Sequence, residues 1–136
     1  MTPEQKKLVQ RSFEQVRPIG DAAARLFYAR LFDLDPSLQL LFKGDMDEQG
    51  KKLMDMLGLV IRGLDRLNDL LPAVEALGRR HAAYGVQDRH YKTVGAALLW
   101  TLDKGLGPEF TPDVREAWRT VYELLAGAMK EAVVYA

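Results

Sequence analysis

His81 and His90 are the two histidines of the chain, and because it has no cysteine they are the residues best suited to bind a transition metal. They lie nine positions apart, a spacing that does not place both on one helix face as ligands of a single small metal ion. His81 belongs to a series of apolar and aromatic residues at helical spacing that includes Leu70, Val74, Leu77 and Tyr84. A histidine on such a face is more often a hydrogen-bonded core residue than a ligand, so this pattern alone leaves both interpretations open.

Most other chemistry is disfavoured by what the sequence lacks. Without cysteine there is no disulfide, thiol nucleophile, iron–sulfur cluster or covalent haem attachment motif. The two serines, Ser12 and Ser37, stand outside any Gly-x-Ser-x-Gly turn, which argues against serine hydrolysis. Residues 45–50 begin like a calcium-binding loop, but Met56 stands where such a loop needs a bidentate glutamate. No glycine-rich phosphate-binding sequence is present.

The composition predicts one compact domain over residues 1–136. Hydrophobic residues make up 48% of the chain, enough to build a core at this length. The 19 basic residues balance 19 acidic ones, so no net field attracts nucleic acid or an anionic membrane surface. The longest apolar stretch, residues 93–102, is shorter than the roughly 18 residues that a membrane span requires. We therefore expect no nucleic-acid or membrane partner and a cytoplasmic location.

Helical signals follow one another along the whole chain, and no segment shows the alternation of a strand. Thr2 can cap the first helix, with Gln5 completing a capping box. Pro36 predicts the start of a short helix. Gly85 predicts the end of the histidine-bearing helix, and Asp88 the cap of the next one. The predicted fold class is all-α, with about six main helices plus a short one.

Three parts of the chain carry a family likeness. Residues 77–86, Leu-Gly-Arg-Arg-His-Ala-Ala-Tyr-Gly-Val, are followed by His90-Tyr91 and Val94-Gly95. Residues 35–42 run from Asp-Pro to Leu-Phe, and Trp118 stands four residues before Tyr122. Together they resemble the proximal helix, the short helix ending in the pocket phenylalanine, and the last helix of globins, specifically bacterial single-domain globins and the related neuroglobin-like and flavohaemoglobin group. The resemblance runs over nearly the whole chain and implies the globin fold, with a haem pocket between the distal and proximal helices.

The resemblance implies non-covalent haem b (iron protoporphyrin IX), with His81 as the axial iron ligand. The other imidazole nitrogen would then donate to a backbone carbonyl of the preceding turn, and Leu77 is its natural provider. Contacts to the porphyrin are expected from Phe42, Val86 and Tyr91 and, with ordinary core packing as an equal alternative, from Leu53 and Val94. Lys52 and Arg80 flank these positions and are candidate partners of the haem propionates, although exposed charges often pair with nothing.

On the other face of the haem, the resemblance implies two polar residues. Tyr28 matches an inner-helix tyrosine of bacterial globins, and Gln49 matches the position where many globins have a distal histidine. Each could donate a hydrogen bond to bound dioxygen, worth something like 1–3 kcal/mol, so the pair predicts slow oxygen release. The alternatives are a buried phenol bonded to backbone and a solvent-facing amide. Because no histidine occupies the distal position, we expect a five-coordinate ferrous iron.

These features suit reversible binding of dioxygen and of other diatomics such as carbon monoxide and nitric oxide. One alternative is a nitric oxide dioxygenase that uses a separate, external reductase, since flavohaemoglobins carry a reductase domain that this sequence lacks. Tyr91 matches a tyrosine that flavohaemoglobins place beside the proximal histidine. Val133, however, stands where their glutamate aligns, and Glu131 is offset from it by two residues, which argues against a strong electron push. Gas sensing through a partner is a further alternative, and both enzyme activity and the choice between monomer and dimer stay open.

Overall fold

The structure, a computed structural model, describes residues 1–134, which form six α-helices joined by short turns. The helices are α1 (Pro3–Val16), α2 (Gly20–Leu34), α3 (Met46–Arg62), α4 (Leu67–Ala83), α5 (Asp88–Leu106) and α6 (Pro112–Val134). A short 3₁₀ helix, Pro36–Leu41, leads directly to Phe42. The described part of the chain contains no strand. The prediction of an all-α fold with about six main helices and a short one is confirmed.

Local side-chain chemistry explains where helices begin and end. The Thr2 hydroxyl accepts a hydrogen bond from the backbone N–H of Gln5 at 3.1 Å, and the Gln5 side chain accepts one from the Thr2 N–H at 3.0 Å. This is the predicted capping box. Gly85, just after α4, has a φ of +100°, a left-handed conformation that glycine adopts without a steric penalty.

The main core joins the two ends of the chain. Phe13 of α1 and Trp118 of α6 are 2% and 1% exposed, with ring centroids 6.5 Å apart. The Trp118 indole N–H donates to the Ser12 hydroxyl at 2.7 Å, so this buried donor is satisfied. Ala23 of α2, Ile61 of α3 and Leu102 of α5 also belong to the cluster, which packs five helices together.

Two helix crossings depend on glycine. A Cβ atom at Gly50 would lie 2.9 Å from the Cβ of Ala24, and one at Gly78 would lie 2.7 Å from the Cα of Met129. Neither approach is possible for a larger residue without a shift of backbone or side chain. These crossings bring α3 close to α2, and α4 close to α6.

The helices α3, α4 and α5 pack mainly against the rest of the molecule. α4 lies on α6, α5 lies on α2 and α6, and α3 lies on α2 and α1, whereas the three make few contacts with one another. Leu53, Leu77 and Val94, one from each of these helices, are only half-buried. The three helices therefore border an apolar region that is packed less tightly than the core. Within residues 1–134, no helix is long and apolar enough to cross a membrane.

Candidate functional site

His81 lies in the last turn of α4, and the backbone holds its half-buried ring. Its Nδ1 lies 2.9 Å from the carbonyl oxygen of Leu77, one turn earlier. Since a carbonyl can only accept, Nδ1 carries the proton and Nε2 keeps a free lone pair. Burial lowers the pKa of His81, the bond to Leu77 opposes this, and the charge of Arg80 lowers the pKa further. The imidazole is therefore neutral at pH 7, as a metal ligand must be.

The turn after α4 folds back onto the same residue. The backbone N–H groups of Tyr84 and Val86 donate to the His81 carbonyl at 3.2 and 3.0 Å. The left-handed Gly85 permits this reversal. Val86 packs against the same apolar cluster as Leu77, next to the end of the helix that carries the imidazole.

Tyr28 and Gln49 come together on the facing sides of α2 and α3. Tyr28 is 7% exposed, and Gln49 is half-buried in the first turn of α3. Burial raises the pKa of the Tyr28 phenol, and hydrogen bonding with the Gln49 side chain partly opposes the rise. The phenol is protonated at neutral pH and is available as a donor.

Aromatic rings fix the orientation of Tyr28. Its ring lies 5.0 Å from that of Phe27, 5.3 Å from that of Phe42 and 6.1 Å from that of Phe32, in edge-on or tilted arrangements. Phe32 and Phe42 also contact each other, with centroids 5.5 Å apart. Phe32 was not among the residues predicted from the sequence, although its position four residues after Tyr28 places it on the same helix face.

The residues expected to contact a porphyrin divide between two apolar clusters. The Tyr28 cluster contains Phe27, Tyr28, Leu31, Leu38 and Ala97, with Phe42, Leu53 and Val94 packed against it. The Tyr91 cluster contains Val60, Val74, Tyr91, Ala126 and Met129, with Leu77 and Val86 packed against it. Most of the expected contact residues are half-buried, so each cluster offers an apolar surface that a flat apolar group could cover.

The donor set also fits haem. Among residues 1–134, no group of three or more histidine, cysteine or acidic side chains is arranged to hold a metal ion. A metal on His81 must therefore take most of its ligands from a bound group, as haem iron takes four from the porphyrin. One free imidazole nitrogen, next in the chain to residues of the Tyr91 cluster, matches that requirement.

A cation approaches the ring of Tyr91, and burial and the charge of Asp88 raise the pKa of its phenol. The Lys130 ammonium nitrogen lies 5.4 Å from the centroid of this ring. The hydroxyl of Tyr122 donates to the Tyr91 carbonyl oxygen at 2.5 Å and ties α6 to α5. Glu131 and Val133 are both exposed, and Val133 is 42% so. Lys130 was not predicted, because a single surface lysine gives no sequence signal.

His90 has a structural role. It is 5% exposed, and its Nδ1 accepts a hydrogen bond from the backbone N–H of Gln87 at 2.9 Å. Gln87 is thus the cap of α5, and the prediction of Asp88 as the cap was wrong by one position. The His90 side chain accepts the N–H of the cap residue itself, which is the reciprocal half of a capping box.

Lys52 and Arg80, the candidate propionate partners, are both exposed. Within the described chain, neither forms an ion pair shorter than 4.0 Å. Arg80 directly precedes His81, and Lys52 directly precedes Leu53, so each lies next to a residue of the candidate site.

The fold and the site define an all-helical protein with one available histidine and two apolar clusters. The family model for globins matches residues 25–129, which include His81, Tyr28 and Gln49. Neuroglobin of Danio rerio is 32% identical over 143 aligned positions, covering 95% of this chain and 90% of the neuroglobin. The chain belongs to the globin family, in the group of neuroglobin and the flavohaemoprotein globin domains.

Two flavohaemoproteins are also similar. That of Bordetella parapertussis is 30% identical over 141 positions, covering 100% of this chain and 35% of the flavohaemoprotein. The flavohaemoprotein of Halalkalibacterium halodurans is 30% identical over 129 positions, covering 93% of this chain and 31% of the flavohaemoprotein. The chain spans about a third of the length of these two relatives. Membership of the globin family supports haem-based binding of diatomic gases.

Proposed function

We propose that this protein binds haem b without a covalent link, through Nε2 of His81, and that it binds dioxygen reversibly in the ferrous form. Carbon monoxide and nitric oxide are ligands of the same site. The observation that carries the proposal is the imidazole held in one tautomer by Leu77, in a fold that also brings Tyr28 and Gln49 together. The iron is five-coordinate when ferrous and gas-free, because His81 is the one protein ligand.

The apolar contacts hold the haem, and polar groups orient it. The Tyr28 cluster contributes Phe42, Leu53 and Val94 to one face, and the Tyr91 cluster contributes Leu77, Val86 and Tyr91 to the other. Lys52 and Arg80 hold the propionates. These residues, within one globin domain over residues 1–136, exclude water from the ring.

Haem supplies an iron that binds a diatomic gas and gives it partial negative charge. The Tyr28 hydroxyl and the Gln49 amide are donors, and both favour a ligand that gains negative charge. The Phe27, Phe32 and Phe42 rings keep the phenol in place, so little ordering remains to be done when the gas enters. High oxygen affinity with slow release follows from two donors in an apolar surrounding.

Absorption spectra of the purified protein test this proposal directly. Ferric, dithionite-reduced and carbonyl-bound spectra are compared between the parent and His81→Ala, with His90→Ala as the matched control. We expect a Soret band with a five-coordinate ferrous form that His81→Ala loses or alters and His90→Ala retains. A low-spin ferrous spectrum of the bis-histidine type, or a parent that takes up no haem, would contradict the proposal.

The similarity to flavohaemoproteins keeps nitric oxide dioxygenation as a second candidate function, with electrons from an external reductase. The exposed positions of Val133 and Glu131 weigh against it, since a strong electron push would need a carboxylate there that reaches the site. Nitrate formation is measured after the oxygenated protein is mixed with nitric oxide and a reductase. Repeated turnover would favour the enzyme, and a single stoichiometric burst would favour the binding protein.

A further inference from the structure

A second cavity, separate from the candidate haem site, lies where α1, α2 and α3 meet. Its volume is about 680 Å³, which is within the range of about 300–1,000 Å³ typical of small-molecule sites. Phe13, Ile19 and Met54 form its apolar wall, and Gly20 and Gly58 let the Met54 and Phe13 side chains pack closely against the backbone there. Ile19 is 45% exposed, so part of this wall is open to a ligand. None of its lining residues belongs to the Tyr28 or Tyr91 cluster.

Charged side chains surround this apolar wall. The four basic ones are Arg17, Arg25, Lys51 and Arg62, and the two acidic ones are Asp21 and Asp55. Because carboxylates pair with three of the four basic residues, an anion could be attracted only where a basic side chain is unpaired or weakly paired. Two carboxylates in the lining repel a polyanion such as a nucleotide, so the arrangement suits a ligand with a single negative charge.

The basic residues at one end of the cavity are already neutralised. The guanidinium groups of Arg17 and Arg62 share the carboxylate of Glu14, with N to O distances of 2.9 and 3.7 Å. This end is therefore a poor site for a further anion. The aliphatic parts of the two arginine side chains can still cover an apolar ligand.

The other end offers positive charge that is available. Within the described chain, Lys51 forms no ion pair shorter than 4.0 Å. Arg25 lies 3.4 Å from Asp47, but the two side chains are 70% and 68% exposed, so their contact contributes little and is easily exchanged. A carboxylate entering here would meet one unpaired ammonium and one weakly paired guanidinium.

The spacing along α3 sets the length of the ligand. From Lys51 to Arg62 the helix rises about 16 Å, at 1.5 Å per residue. Met54 and Gly58 lie between them on the same face, at helical spacing. We propose that this cavity binds the free anion of a fatty acid, with its carboxylate at Lys51 and Arg25 and its alkyl tail along Met54 and Gly58 towards Arg62. This site is independent of the proposed gas binding.

Calorimetric titration with dodecanoate, kept below its micelle concentration, tests this site in the protein as purified. We expect one dodecanoate per chain, and at least about tenfold weaker binding in Lys51→Glu, because a hydrogen bond to a charged group is lost and a repulsion added. Lys7→Glu is the control, since it makes the same charge change on an exposed residue of α1 outside the lining. Octanoate should bind more weakly, by up to about fourfold per missing methylene.

Four results would overturn this proposal. One is equal affinity in Lys51→Glu and Lys7→Glu. Another is dodecanoate binding that shifts the Soret band and is lost when haem is present in excess, which would assign the ligand to the haem site. The third is binding of the protein to phosphatidylcholine vesicles that contain fatty acid, without binding of monomeric dodecanoate. Equally tight binding of dodecyltrimethylammonium would also contradict an anion site.

Discussion

Tyr28 is the side chain on which the proposed gas affinity depends most. Its phenol is buried, protonated and held among three phenylalanine rings. Tyr28→Phe keeps the ring and removes only the donor, so the rate of oxygen dissociation should rise by roughly 5- to 150-fold, corresponding to a lost stabilisation of about 1–3 kcal/mol. Gln49→Leu should act in the same direction. The measurement is stopped-flow displacement of oxygen by carbon monoxide.

Tyr84→Phe is the matched control for this comparison. Tyr84 is 67% exposed just after α4, so removal of its hydroxyl should leave oxygen release unchanged. If Tyr28→Phe and Gln49→Leu both release oxygen at the parent rate, these side chains are ordinary packing residues and the proposed distal donors are wrong.

The pKa of the same phenol sets the pH range over which oxygen release should stay constant. Because burial raises the pKa of Tyr28 above its ordinary value of 10.0, the donor stays protonated from pH 7 to 9. The effect on the stability of the fold follows from linkage. Folding favours the protonated phenol, so its contribution to stability is present below the pKa of the unfolded state and is lost as pH rises through the pKa of the folded state. Oxygen dissociation rates should therefore stay constant over this range. A rise with a midpoint below pH 10 that is absent in Tyr28→Phe would contradict the buried position.

At the scale of the helices, the contact between α4 and α6 positions the imidazole. Gly78 stands three residues before His81, and a Cβ there would meet the backbone of Met129 at 2.7–2.9 Å. Gly78→Ala must push the helices apart, so we expect a loss of about 1–3 kcal/mol in the free energy of unfolding, together with faster haem loss. Urea denaturation and haem transfer to an acceptor protein measure the two effects.

Gly127→Ala is the matched control for this substitution. Gly127 lies within α6, and no atom lies within 4 Å of the position that an alanine methyl group would take there, so alanine should stabilise the helix by about 0.5–1 kcal/mol. If the two alanine variants have equal free energies of unfolding, the fold does not require a glycine where α4 approaches α6.

Local signals predicted the helices better than they predicted the contacts between them. The Thr2 and Gln5 capping box and the left-handed Gly85 depend on neighbours in sequence, and both appear in the structure as predicted. The predicted cap of α5 was one residue late, because a histidine at the third helical position that accepts the N–H of the cap residue is not part of the usual capping-box pattern. Lys130 was missed because its approach to Tyr91 is set by the packing of α6, which single-sequence periodicity does not specify.

At the scale of the whole molecule, stability is uneven. Phe13 and Trp118 belong to a core that joins α1, α2, α3, α5 and α6, whereas α3, α4 and α5 make few contacts with one another around the candidate haem site. Regions with few buried apolar contacts open locally at lower free energy than the core. The proposed haem would supply contacts to both apolar clusters, so folding of this region and haem binding should be linked.

Hydrogen exchange measures this linkage. In haem-free protein, we expect amides in the last two turns of α4, around His81, to exchange much faster than those around Trp118 in α6. Addition of haem should slow exchange in α4 and leave the amides around Trp118 nearly unchanged, because Trp118 belongs to the main core and to neither cluster that the haem would contact. In His81→Ala the slowing should be smaller, since the iron no longer ties α4 to the ring. Uniform protection of both helices without haem would mean that the two apolar clusters already form a closed core, and the proposed pocket would then lack its structural basis.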